Sequence, residues 1–171
     1  MANEVEAAIR GRRTHKTFGS SPVPRETLEE LLELARWAPN HRLTEPWRFR
    51  VFGPATLRRL QDAGGPAEAA KLERAPTLVL ALCVLSGDEV QDEEDLHATA
   101  AAVYAVLLAA HARGLAGYWR TPAVLRTTAG REAVGLSANE RVVALINLGE
   151  KASDPPRKER LAPSHYVEFL D

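Results

Sequence analysis

Four cations fall within the seven residues Arg10, Gly11, Arg12, Arg13, Thr14, His15 and Lys16. Guanidinium and ammonium groups beside a hydroxyl can hold a phosphate by charge-assisted hydrogen bonds. The same residues would equally serve as a solvated helix end, where cations complement the dipole. A second basic set, Arg157, Lys158 and Arg160, lies late in the chain. Between these sets, Asn40 and His41 stand on a short stretch bounded by Pro39 and Pro46. Polar side chains on a loop between rigid elements are frequent binding groups, although this stretch also reads as a plain helix-to-strand connection. Trp119, Arg120 and Thr121 make a further polar and aromatic group just before Pro122.

Other chemistries find no residues to carry them. There is no Gly-x-Gly-x-x-Gly or Walker loop for a Rossmann or P-loop site, and no Gly-x-Ser-x-Gly elbow for a serine nucleophile. His15, His41, His97, His111 and His165 are scattered without the spacing of a helical metal site, so no metal ligand set is expected. His97 and His111 read as helix-surface or core residues. Cys83, inside the apolar run 78–85, reads as a small core hydrophobe. The carboxylates at 92–95 read as an acidic surface turn. Basic clusters at both ends, tryptophans at loop mouths and no acid-base or nucleophilic set fit a host for a phosphorylated cofactor that does the chemistry itself.

The elements that must position these residues follow from periodicity. Residues 3–12 read as a helix, and Pro24 opens a second one, with Leu28, Leu31, Leu32 and Ala35 at helical spacing, which Pro39 must stop. Residues 48–52 alternate as a half-buried strand. Residues 56–63 and 67–74 read as short, peripheral helices. The continuous apolar run 77–85 is expected as a strand covered on both faces. After an acidic loop at 87–95, residues 96–113 form the longest helix, apolar on most of its circumference. Such a helix must be buried all round, which in a chain this size favours a partner subunit. Residues 115–122 form a short strand and turn, 123–136 a weak helix and 141–148 a core strand, before an extended tail. The order α, α, β, α, β, α, β, β is mixed α+β, with helices massed against a small sheet.

With 171 residues the chain is expected to be one domain, 1–171, whose tail at 150–171 lies against its own body or a neighbour. Net charge of −1 gives no general attraction to nucleic acid or an anionic membrane. Residues 1–13 lack the apolar core of a signal peptide and no run approaches a membrane span of about 20 apolar residues, so a cytoplasmic location is expected.

Taken together and in order, Arg12-Arg13-Thr14-His15-Lys16-Thr17-Phe18, Pro22-Val23, Ala38-Pro39, Pro46-Trp47-Arg48-Phe49 and Gly117-Tyr118-Trp119-Arg120-Thr121 resemble the FMN-dependent nitroreductase family, most closely its compact branch of NAD(P)H nitroreductases. The resemblance covers nearly the whole chain. It implies an α+β sandwich with a central mixed or antiparallel sheet flanked by helices, and an intertwined homodimer with two FMN sites at its interface. Arg12, Arg13 and Thr14 would hold the FMN phosphate and ribityl chain, with Lys16 as a further basic position. Asn40 and His41, with Trp37, would approach the flavin from the other subunit. Trp119, Arg120 and Thr121 would run along the ring, and Lys158 and Arg160 would add phosphate cations. NADH or NADPH would reduce the flavin, and a small nitroaromatic, quinone or similar acceptor would reoxidise it. The alternatives are a flavin-sequestering protein and a specialised reaction such as reductive dehalogenation. Glu45 stands where many members have Gln, and is expected to pair with Arg42 or Arg48.

Overall fold

A computed structural model of the chain describes residues 3–170, so Met1, Ala2 and Asp171 of the expected domain lie outside the described residues. The elements are α1 (Glu4–Gly11), α2 (Arg25–Glu33), β1 (Trp47–Val51), α3 (Pro54–Gly64), α4 (Pro66–Leu72), β2 (Thr77–Val84), α5 (Glu89–Ala112), β3 (Leu115–Arg120), α6 (Thr128–Ala133) and β4 (Glu140–Glu150), with short 3-10 turns between some of them. The class is α+β, as expected. The four strands form one antiparallel sheet in the order β1-β2-β4-β3. Among the described residues a parallel component enters as a single bridge from Thr14 to Gly117 on β3.

Because side chains alternate across a strand, the apolar runs of β2 and β4 feed two separate cores. Val79, Ala81 and Cys83 meet Ala144, Ile146 and Leu148 on one face, under α2 and α5. Leu78, Leu80 and Leu82 join Leu145 on the other, under Leu60 of α3, Leu72 of α4 and the segment around α6. The register shifts between Ala81 and Leu82 as β2 pairs with β4. Val143 and Ala144 consequently both join the α5-side core, as a bulge allows.

Two expectations about helices are corrected here. The pair at 54–72 is not peripheral, because Leu60 and Leu72 are 0 % exposed and seal the second core. Their sparse apolar residues hid this, since a helix covering a sheet needs only one or two well-placed leucines. The acidic stretch at 87–95 is not a loop either. Asp88 caps α5 by accepting from the Gln91 amide at 2.8 Å, and the carboxylates of the first turn suit the helix dipole. Asp92 gathers Ser86 N–H (2.6 Å), Ser86 Oγ (2.8 Å) and Gly87 N–H (3.2 Å), which holds its carboxyl below the usual range.

α5 is long and apolar enough to cross a membrane by length and composition alone, yet half of its apolar window is buried in this fold. It is nevertheless not buried all round within one chain. Val90, His97 and Tyr104 remain exposed, and Ala101 and Leu108 are only partly covered, at a spacing that makes one stripe along the helix. The tail is exposed almost throughout residues 152–170, with Phe169 and Leu170 bare and Ser153 Oγ 3.2 Å from Thr17 Oγ1 near its start.

Candidate functional site

The basic cluster is placed by the end of α1 and the free edge of β3. Asn3 caps α1 by accepting from Val5 N–H (2.7 Å) and Glu6 N–H (3.1 Å), and the helix ends at Gly11. A Cβ on Gly11 would come within 2.7 Å of His111 Nε2, so a larger residue there would require the His111 ring to shift. The chain then runs extended beside β3, where His15 N–H donates to Gly117 O at 3.1 Å and Gly19 N–H to Glu150 O at 3.0 Å. Thr14 and Lys16 face out while His15 between them is buried, as the two-residue period requires. The Arg12 guanidinium carbon sits 5.9 Å from the centre of the Tyr104 ring, and its Nε is buried without a protein partner among the described residues. Arg13 is steadied by donating from Nη1 to Arg10 O (2.6 Å) and Arg12 O (2.8 Å).

Beneath this edge sit two histidines. Gly117 N–H donates to His15 Nδ1 at 3.4 Å, and the buried His15 Nε2 and His111 Nδ1 have no protein partner among the described residues. Burial, then the nearby Lys151 ammonium, pushes the His15 pKa below its ordinary value, against hydrogen bonds involving Gly117 and Arg13. His111 is lowered by burial first and then by Lys151, His15, Arg12 and Arg13.

The outer end of β3 borders a cleft of about 310 Å³ walled by Lys16, Phe18, Lys71, Arg74, Tyr118, Arg120 and Asn147. A neighbouring hollow of about 370 Å³ shares Lys71, Tyr118 and Arg120 and adds Trp119 and Thr121. Arg120 is not free. It donates to Glu68 Oε1 at 2.8 Å and to Lys71 O at 3.2 Å, and Lys71 Nζ meets Glu68 Oε2 at 3.3 Å. Both side chains of the Arg120 pair are largely buried, at 11 % and 14 % exposed, so the carboxylate fixes the guanidinium against the cleft wall. Asn147, fully buried on the central strand β4, has an Oδ1 without a protein partner among the described residues.

The remaining expected positions lie elsewhere. Trp37 is exposed and its Nε1 donates to Glu33 at 3.2 Å. Asn40 and His41 belong to a loop fastened to the start of α5. Asn40 Oδ1 accepts from Glu45 N–H at 2.7 Å, its Nδ2 donates to Thr44 Oγ1 at 3.0 Å, and His41 Nδ1 lies 2.8 Å from Glu94. Asp95 is buried rather than part of a surface turn, and accepts from Thr44 Oγ1 and Gln91 Nε2. Glu45 makes no ion pair among the described residues, because Arg48 donates instead to the backbone oxygens of Glu45 (2.9 Å) and Trp47 (2.8 Å). The loop is fastened to Asp95, whereas the basic cluster packs along α5 from Tyr104 to His111, nine to sixteen residues further on, or about 14–24 Å at 1.5 Å per residue. One chain therefore brings Arg12, Arg13, Thr14, Lys16 and the β3 end together, and leaves Asn40 and His41 further along α5 beside Asp95 and Glu94. Lys158 and Arg160 stand exposed on the tail.

Lys71, Arg74 and Glu68 were not foreseen because α4 reads as peripheral. Asn147 was legible in principle, as one amide inside an otherwise apolar run. Among the described residues no group of three or more His, Cys, Asp or Glu side chains is placed to hold a metal.

The family model described as "Nitroreductase family" matches residues 9–67. "Putative NAD(P)H nitroreductase YdjA" of Escherichia coli (strain K12) is 30 % identical over 146 residues, covering 76 % of this chain and 79 % of that protein. The crystal structure of a nitroreductase-like family protein from Bacillus cereus superposes with a TM-score of 0.89 at 25 % identity, covering 99 % of this chain and 97 % of the other. A structure titled as a "putative nitroreductase in complex with FMN", from Desulfovibrio desulfuricans, gives a TM-score of 0.83 at 27 % identity, covering 99 % of both chains.

Proposed function

The chain belongs to the nitroreductase family and is a flavin-dependent oxidoreductase, and from that premise we propose that it carries electrons from NADH or NADPH through FMN to a nitroaromatic, quinone or similar small acceptor by ping-pong turnover. The observation that carries this is the continuity of the basic edge at residues 12–16 with the cleft at the end of β3, through Lys16. The residue types fit the cofactor. A phosphate of nearly two negative charges suits Arg12, Arg13 and Thr14, with Arg12 Nε still lacking a protein partner. A ring that is flat, apolar on its faces and polar at one edge suits a cleft combining Phe18 and Tyr118 with Lys16, Lys71, Arg120 and the unpartnered Asn147 Oδ1.

When bound, the flavin would supply the hydride and electron transfer, so the protein's task is binding, orientation and tuning. Arg12, Arg13 and Thr14 hold the phosphate, joined by Lys158 and Arg160 from the tail. Lys16, Trp119, Arg120 and Thr121 line the ring, with Glu68 keeping Arg120 in place. Trp37, Asn40 and His41 complete the site from a second copy of the chain. A homodimer is the arrangement that reconciles these roles with the distance along α5, and it would also cover the exposed α5 stripe and give the bare tail a surface. Initial rates at several fixed acceptor concentrations test the scheme: ping-pong turnover gives parallel double-reciprocal lines against NAD(P)H, and lines that intersect overturn it.

A further inference from the structure

The loop at 40–45 is held in a conformation that its residues do not favour. Arg42 (φ 62°), Leu43 (φ 50°) and Glu45 (φ 46°) all lie in the left-handed region, and none is a glycine. L-residues enter that region singly and against steric resistance from their Cβ, so three within four positions need an external hold. No apolar core provides it, since Leu43 at the tip is 80 % exposed. The hold is polar and converges on one buried side chain. Asp95, 3 % exposed on α5, accepts at Oδ1 from Thr44 Oγ1, and more distantly from Asn40 Nδ2 at 3.4 Å, while Gln91 Nε2 donates to the same oxygen at 3.0 Å. Asn40 then passes the constraint on by binding Thr44 Oγ1 and the Glu45 amide. The His41–Glu94 contact adds a second tether, one residue earlier on α5.

We propose that Asp95 is a positioning residue that holds the 40–45 loop in its left-handed form, so that Asn40 and His41 are presented ready-made to the flavin site of a second copy of the chain. This rests on the cofactor reading given above and deepens it. Preorganisation of this kind lowers the ordering cost of binding, so losing the anchor weakens cofactor binding even though Asp95 itself need not touch the cofactor.

Two readouts separate the possibilities: the rate of tryptic cleavage after Arg42 in flavin-free protein, and the FMN dissociation constant from quenching of flavin fluorescence. Asp95→Ala and Thr44→Val should each speed cleavage at least fivefold and raise the FMN dissociation constant at least tenfold. Asp95→Asn, which keeps an acceptor oxygen for Thr44, should stay within threefold of wild type on both. Should Asp95→Ala fail to fold, Thr44→Val, a change on an exposed loop, decides alone. Unchanged cleavage in these variants overturns the anchor. Faster cleavage with unchanged FMN affinity overturns the positioning role. If wild-type protein binds no FMN, the cofactor reading fails and takes the positioning role with it, whereas the cleavage comparison still reports on the anchor.

Discussion

Replacing Arg12 by alanine should weaken FMN binding while leaving the fold intact. Arg12 is half-exposed, its guanidinium stands beside the Tyr104 ring at 5.9 Å, and its Nη atoms donate to no protein group among the described residues. A hydrogen bond to a charged group is worth about 1.5–3 kcal/mol. At about 1.4 kcal/mol per decade, Arg12→Ala should therefore raise the dissociation constant by roughly 10- to 150-fold. Arg12→Lys keeps the charge but loses the planar fork, so a smaller loss of about fivefold is expected. Tyr104→Leu removes only the ring behind the guanidinium, a contribution of about 0.5–1 kcal/mol, and should cost about two- to fivefold. The assay is titration of flavin-free protein with FMN, followed by fluorescence quenching at low and high salt. Arg12→Ala should also flatten the salt dependence, because one cation fewer faces the phosphate. Thermal unfolding of the flavin-free variants should move little, as is usual for a partly exposed residue outside the core. Unchanged FMN affinity in both Arg12→Ala and the Arg12→Ala, Arg13→Ala double variant would refute the assignment of the phosphate to this cluster.

The fold makes further commitments. Arg50 Nη2 donates to both carboxylate oxygens of buried Glu140 at 2.8 and 2.9 Å, so Arg50→Met should cost about 2–3 kcal/mol in urea unfolding, less than a fully buried pair because Arg50 is a third exposed; the Arg50→Met, Glu140→Leu double variant should recover at least half of that. For His15 and His111 the lowered folded pKa means the unfolded chain binds more protons, so stability should fall as pH drops below 6.5, and His111→Gln should flatten that slope. Burial raises the Glu140 carboxyl, but hydrogen bonds from Ser137 and Arg50 outweigh it and hold it below 4.5, so its stabilisation is present above 4.5 and is lost as pH falls through the folded value. Gly130→Ala would drive a Cβ to 1.9 Å from Val124 O and should destabilise by about 3 kcal/mol or more in the same assay, whereas Gly53→Ala meets nothing within 4 Å and should be nearly neutral.

Strands and helices with strong periodicity were legible in the sequence because one chain decides them. The continuous run of β2 announced a strand between two cores, and both cores are present. The start of α5 was not legible, since its first two turns are acidic and their helicity is carried by the Asp88 cap rather than by an apolar stripe. The roles of α3 and α4 were hidden for a related reason: Leu60 and Leu72 are single buried anchors, too few to make a pattern. At the site, the basic edge could be read from local clustering. The Glu68–Arg120 pair spans fifty-two positions, and the Asn40–Asp95 contact fifty-five, so neither leaves a local signal. The exposure of Tyr104 and of the tail marks surfaces that a single chain leaves uncovered.

The most direct test is the visible spectrum of the protein after incubation with FMN and desalting, recorded before and after anaerobic addition of NADPH and of NADH. A retained flavin spectrum that bleaches within seconds with either nucleotide is the predicted result. A protein that keeps no flavin, or keeps one that neither nucleotide reduces, would contradict the account.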